Sequence, residues 1–142
     1  MIVLDADILL YAYDSASAMH AKARAWVEQI FAGNELVGLP WQTTAAFVRI
    51  VTNPRLPGVR YSPVEAAQVV DEWLALPNIR AIAPGERHWS SFRQMLTDGQ
   101  ASGPLTTDAA LAALTIEHGG VLHTTDRDFA RFPGLRWMNP LA

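Results

Sequence analysis

The tightest constraint on this chain is the way its apolar runs stop: Ile2-Val3-Leu4 breaks off on Asp5 after only three residues. A buried helix needs a run of roughly ten residues or more, so this segment reads as a buried strand with a carboxylate at its C-terminal end. Residues 121–124 repeat the pattern and stop two positions before Asp126. Three more short runs, 36–39 (stopped by Pro40), 79–83 and 135–138, bring the expected strands to five.

Helical signals fill the intervals. One stretch opens at Ser17, gathers Ala21, Ala25, Trp26, Ile30 and Phe31 roughly on one side, and closes near Gly33-Asn34. A second covers residues 41–51 and is ended by Asn53-Pro54; Pro57-Gly58 then marks a loop. Ser62-Pro63-Val64-Glu65 combines an N-cap, a proline at the first helical position and a capping-box glutamate, opening a helix to Leu76. Another helix is expected over 86–97, followed by a loop over 99–103. The last starts at Thr107-Asp108, is rich in Ala and Leu, and is closed by Gly119-Gly120.

Strands alternating with helices predict an α/β fold, a three-layer α/β/α sandwich around a mostly parallel sheet of about five strands. In such sheets ligands bind outside the carboxyl ends of the strands, where Asp5 and Asp126 are expected. With 142 residues, half of them apolar and 18% charged, the chain reads as one globular domain over residues 1–142. Nothing approaches the ~18 apolar residues of a membrane span. The N-terminus has no basic region ahead of an apolar one and does not read as a signal peptide. The absence of cysteine excludes disulfides and thiolate metal sites and suits the cytoplasm.

The formal charge of −3 argues against a nucleic-acid partner only if the acids are evenly spread. Leaving four cation-bound carboxylates out of the count puts the remaining surface at +1. Ten of the eleven basic residues are Arg, a side chain suited to bidentate phosphate contact, and Lys22 is the one Lys. Glu28, Glu35, Glu65, Asp71, Glu72, Glu86 and Asp98 fall on polar helix faces or loop edges and read as solvated. Asp7 and Asp14 read as turn or cap residues. Asp5, Asp108, Asp126 and Asp128 stand apart. Asp108 opens an otherwise apolar helix, where a carboxylate also suits the dipole; Asp126 also fits an N-cap for the turn over 127–132. Asp5 has no comparable structural use at a strand end. Acids converging in a crevice repel one another unless a cation or proton intervenes. An oxygen-only donor set points to Mg²⁺ or Mn²⁺ rather than zinc, and His20, His88, His118 and His123 match no zinc spacing. The five tryptophans, Trp26, Trp41, Trp73, Trp89 and Trp137, read mainly as core, with Trp41 also placed to line the crevice.

At these residues the sequence resembles the PIN-domain family, and within it the VapC-type bacterial toxins. The matching segments are Val3-Leu4-Asp5-Ala6-Asp7-Ile8-Leu9-Leu10-Tyr11-Ala12, Leu105-Thr106-Thr107-Asp108-Ala109-Ala110-Leu111-Ala112-Ala113-Leu114 and Leu122-His123-Thr124-Thr125-Asp126-Arg127-Asp128-Phe129. Phe47-Val48-Arg49-Ile50-Val51-Thr52-Asn53-Pro54 is similar to the family's third helix. The resemblance implies a central N-terminal strand and a cation site of Asp5, Asp108 and Asp126, with Asp128 as an accessory acid. It also implies a Mg²⁺- or Mn²⁺-dependent endoribonuclease, a VapB-type antitoxin partner and a homodimer. Arg49, Arg55 and Arg127 are the candidates for RNA phosphate contact. One departure stands out. The family's third helix commonly carries a Glu just before the residue matched by Phe47, and this chain has Ala46; Gln42, one turn earlier, is placed to hold a water instead.

Two other readings fit parts of the pattern. A catalytically impaired PIN-fold binding module would explain Ala46. Asp5-Ala6-Asp7 also matches the paired acids of a haloacid-dehalogenase-like phosphatase, but that chemistry needs a later Lys, and Lys22 lies early in the chain.

Overall fold

The computed structural model describes residues 1–57 and 60–142; the Gly58 half of the expected Pro57-Gly58 loop lies outside them. Five strands form one sheet: β1 Ile2–Leu4, β2 Val37–Pro40, β3 Ile79–Ile82, β4 Val121–His123 and β5 Trp137–Met138. Their order is β3-β2-β1-β4-β5, and every pairing is parallel. The N-terminal strand is central, as the resemblance implied.

Six helices cover the two faces: α1 Ala6–Tyr13, α2 His20–Phe31, α3 Trp41–Val51, α4 Pro63–Leu74, α5 His88–Asp98 and α6 Leu105–Glu117. Helix α1 is the main correction to the sequence reading, in which helical structure opened only at Ser17. Its Ala6, Ile8, Leu9 and Ala12 are buried, and only Asp5-Ala6-Asp7 separates Ile8 and Leu9 from β1, an interval too short to mark a new element in the sequence. Helix α2 begins three residues later than expected, at His20. The strand expected over 135–138 contracts to Trp137–Met138.

The layers follow from strand alternation. Ile2 and Leu4 of β1 join the core beneath α1–α4, with Ile8, Phe47, Val70 and Trp73. Val3, between them, points to the opposite core with Met95 of α5 and Leu111 and Leu114 of α6. Local chemistry fixes the helix ends. The Ser62 hydroxyl accepts from the Glu65 amide, and the Glu65 carboxylate accepts from the Ser62 amide. Gly119, at φ 66°, takes the left-handed conformation that stops α6. Gly120 then passes so close to β1 that an added Cβ would meet Val3 Cγ2 at 2.6 Å.

The tryptophans depart from expectation. Only Trp73 is fully buried, meeting Tyr13, Phe31 and Phe47 edge-on or tilted. Trp26 stacks on the buried His123 at 5.3 Å between centroids, whereas Trp41 and Trp89 are more than half exposed. Both sit in the first turns of their helices, each followed by an exposed residue, Gln42 and Ser90.

No helix of the described residues is long and apolar enough to cross a membrane.

Candidate functional site

The sheet order reverses direction at β1. The chain runs outward from β1 through β2 to β3, then returns to place β4 on the other side. Connections on the two sides of that junction leave in opposite directions and open a crevice at the strands' carboxyl ends. Asp5 ends β1 there and also caps α1, its Oδ1 accepting from the Ala6 amide at 2.8 Å. This cap is the structural use the sequence did not reveal, because α1 itself was missed.

A crevice of about 370 Å³ is lined by Asp5, Gln42, Thr43, Ala46, Arg49, Thr107 and Asp108, among others. Asp108 enters from the first turn of α6. One carboxylate oxygen from each of Asp108, Asp126 and Asp128 lies within 4.8 Å of the others. Asp126 caps the 3-10 turn Arg127–Arg131, accepting from the Asp128 amide at 2.9 Å through its Oδ1. The four expected acids thus gather at one edge, but not as equals: Asp108, Asp126 and Asp128 cluster tightly, and Asp5 meets them across the crevice it shares with Asp108.

Electrostatics follow from this crowding. Burial, reinforced by the neighbouring Asp7 charge and more weakly by Asp108, pushes the Asp5 carboxyl up to about 7. Burial and then the charges of Asp126 and Asp128 push Asp108 up to about 6, with Arg131 opposing. Among the described residues no Arg or Lys forms an ion pair with any of these four acids. The donor set is all oxygen, and its negative charge has no protein counterion at contact distance. These properties fit a hard divalent cation.

Thr124, fully buried, joins the acids, and sequence reasoning did not single it out. Its hydroxyl donates to Asp5 Oδ2 at 2.8 Å and accepts from the Asp126 amide at 3.0 Å. The only signal for it in the sequence was a hydroxyl two residues before Asp126. Asp7, read as a turn or cap residue, accepts from the amide of Ile8 but also from Thr125 across the β1–β4 junction. Its oxygens are therefore occupied, and Lys22 lies on α2 beside Trp26 and the C-terminal residues. The dehalogenase-like arrangement is not assembled.

The second wall comes from α3. Its Phe47 is buried in the core, which turns Gln42, Ala46 and Arg49 toward the crevice. Gln42 donates to the Thr107 carbonyl at 3.1 Å and so tethers α3 to the start of α6. Arg127 is exposed between Asp126 and Asp128. Arg55 lies on the turn after α3, its amide bonded to Asn53 Oδ1, away from the crevice lining. Trp41 does not line the crevice either.

Comparison with known proteins bears on the family and the fold. The PIN domain family model matches residues 2–135. Ribonuclease VapC43 of Mycobacterium tuberculosis is 41% identical over 141 residues, covering 99% of this chain and 96% of that protein. Ribonuclease VapC33 of the same organism is 36% identical, covering 99% of each. Among solved structures, VapBC2 of Rickettsia felis bound to a promoter DNA fragment superposes with a TM-score of 0.70 at 17% identity, over 98% of each chain.

Proposed function

This chain belongs to the PIN-domain family, and from that premise we propose that it is a Mg²⁺- or Mn²⁺-dependent endoribonuclease, the toxin half of a VapBC-type pair. The observation that carries the reading is the cluster of Asp108, Asp126 and Asp128 with Asp5 sharing the crevice beside Asp108, Asp5 and Asp108 being pushed up to about 7 and about 6. The names of the relatives at 41% and 36% identity support an RNA substrate.

Asp5, Asp108 and Asp126 would hold the cation, with Asp128 beside them. When bound, a divalent ion polarises a phosphate oxygen and lowers the pKa of water, which is the chemistry phosphodiester hydrolysis needs. The chain's own groups do the rest. Thr124 keeps Asp5 and Asp126 at a set separation. Arg49, on the facing wall, holds the phosphate of the strand to be cut. The crevice hydroxyls are engaged: Thr43 donates to the Leu4 carbonyl and Thr107 to that of Pro104. Among the described residues no Ser, Cys or Lys lines the crevice, so water is the nucleophile and no covalent enzyme intermediate forms. Unpaired RNA is the favoured substrate, because its bases can be splayed away from the backbone that enters the crevice.

The partner is a short antitoxin. An apolar groove of about 280 Å³, lined by Ala12, Tyr13, Val27, Phe31 and Leu76 with Arg24 and Glu28 beside it, suits one face of an amphipathic helix. The toxin itself is expected to be a homodimer, which light scattering tests directly.

The deciding experiment incubates the purified protein with total cellular RNA and Mg²⁺ or Mn²⁺ and maps new ends by sequencing. Discrete cation-dependent cuts by the wild type, absent in Asp5→Asn, are expected. Intact RNA with both proteins would favour the impaired binding module, for which Ala46 in the crevice wall is the specific observation.

A further inference from the structure

The acidic centre is assembled from chain segments more than a hundred residues apart, and something must hold them in register. The β1–β4 ladder ends with Leu4 opposite His123. Beyond it, only the Thr124 amide still pairs with the sheet, donating to the Met138 carbonyl at 3.0 Å, and backbone pairing does not extend to Asp126. Asp7, in the first turn of α1, reaches this loop. Its Oδ1 accepts from the Ile8 amide at 2.7 Å, which fixes the carboxylate's orientation on the helix. Its Oδ2 accepts from the Thr125 amide at 2.8 Å and the Thr125 hydroxyl at 2.5 Å. The Thr124 hydroxyl is 3.3 Å from the same oxygen but 2.8 Å from Asp5 Oδ2, so its one proton goes to Asp5.

Taking the acidic centre as a cation site, as above, we propose that Asp7 is a positioning residue: its carboxylate latches the Thr124–Asp126 loop to α1 and thereby sets the separation of Asp5 and Asp126. Asp7 lines neither the crevice nor the Asp108–Asp126–Asp128 cluster, and its Oδ2 faces the loop donors, so its role is to position the ligands rather than to be one. A second carboxylate beside Asp5 is electrostatically costly, and a latch accounts for that cost. Three loop and helix donors converge on it, and a charged acceptor bonds them more strongly than a neutral one. The neighbouring Thr124 then transmits the fixed loop position to both Asp5 and Asp126 through one hydroxyl.

The test titrates the metal-free protein with Mn²⁺ alone by calorimetry and follows thermal unfolding in parallel. Thr125→Val removes the latch hydroxyl at nearly constant volume, Thr125→Ser keeps it, and Asp7→Ala removes the acceptor. Each disabling variant is expected to weaken Mn²⁺ affinity about tenfold or more, the usual effect of losing a group that orients a ligand. The double variant should be no weaker than the worse single one, because both break the same latch, and Thr125→Ser should restore most of the affinity. Wild-type affinity in Thr125→Val, or losses that add in the double variant, would overturn the latch. A lowered melting temperature with unchanged Mn²⁺ affinity would overturn it as well, leaving Asp7 a purely structural group. If the wild type binds no Mn²⁺, the cation reading fails and the latch with it. If binding is lost in Asp108→Ala yet unchanged in Thr125→Val, the latch alone fails.

Discussion

The two walls of the crevice are built on opposite plans. The wall made by α6 and the β4 loop is acidic, with Asp108, Asp126 and Asp128 within reach of one another. The α3 wall carries Gln42, Ala46 and Arg49 and no carboxylate. Yet α3 is the amphipathic helix, burying Phe47 and Val51 on one side. Helix α6 buries residues almost all round, among them Ala109, Leu111, Ala112, Ala113 and Leu114. The acid therefore projects from the helix least able to solvate it, at its first turn, where the dipole favours negative charge. A wall that concentrates charge needs an apolar, immobile support; a wall that meets substrate can be solvent-facing. Where the family resemblance implies a Glu on the second wall, this chain has Ala46, so the proposed cation would rest on the acidic wall and Asp5 alone.

The contrast is broken most severely at Asp108. Asp108→Ala is expected to weaken Mn²⁺ binding and RNA cleavage by about a hundredfold or more, exceeding the loss of an orienting group. The metal-free variant should melt at a higher temperature than the wild type, since a repelling charge is gone. Calorimetry and melting curves measure both, and equal Mn²⁺ affinity would remove Asp108 from the site.

Acidification acts on the same wall. Asp5 and Asp108 titrate higher in the folded chain, near 7 and 6, than the ~4 of an unfolded Asp. The folded state therefore binds more protons than the unfolded state between about 4 and 7, and metal-free stability falls as pH rises through that window. Cation binding requires the charged forms, so Mn²⁺ affinity should run the other way and rise from pH 6 to pH 8. Thermal melts with and without Mn²⁺ should converge at pH 5 and diverge at pH 8. Parallel curves across that range would contradict the titration.

Ala46→Glu sharpens the comparison by giving the α3 wall an acid. Mn²⁺ affinity should increase several-fold, on the order of 1 kcal/mol, while the metal-free melting temperature drops. Cleavage that also quickens would identify Ala46 as a limit on the reaction. Unchanged affinity would mean that the α3 wall stands too far from the cation to contribute.

The smallest effect is expected from Arg49→Gln. Its KM for single-stranded RNA should rise a few-fold, and the salt dependence of binding should lose about one phosphate contact, with Mn²⁺ affinity retained. An unchanged salt slope would assign Arg49 to the solvated surface. Arg55→Gln, away from the crevice, is the matched control.

Much of this architecture is written locally. The strand ends at Asp5 and before Asp126, the Ser62-Pro63-Glu65 capping box and the Gly119 stop each depend on residues within one turn or one strand, so their sequence pattern suffices to read them. Helix α1 is the exception among the elements: it starts directly after the residue that ends β1, and the cap Asp5 makes for it is visible only once the chain is folded. The site divides the same way. That four aspartates stood apart from the solvated acids was legible in their apolar neighbours and in the family resemblance. How they are held did not. Thr124 meets Asp5 across 119 positions of sequence, Asp7 meets Thr125 across 118, and Gln42 meets Thr107 across 65. Periodicity and capping rules reach only a few residues along the chain. Contacts of this length come into being when β4 pairs beside β1 and α3 packs against the start of α6, because only then do donors and acceptors so far apart in sequence lie at hydrogen-bonding distance.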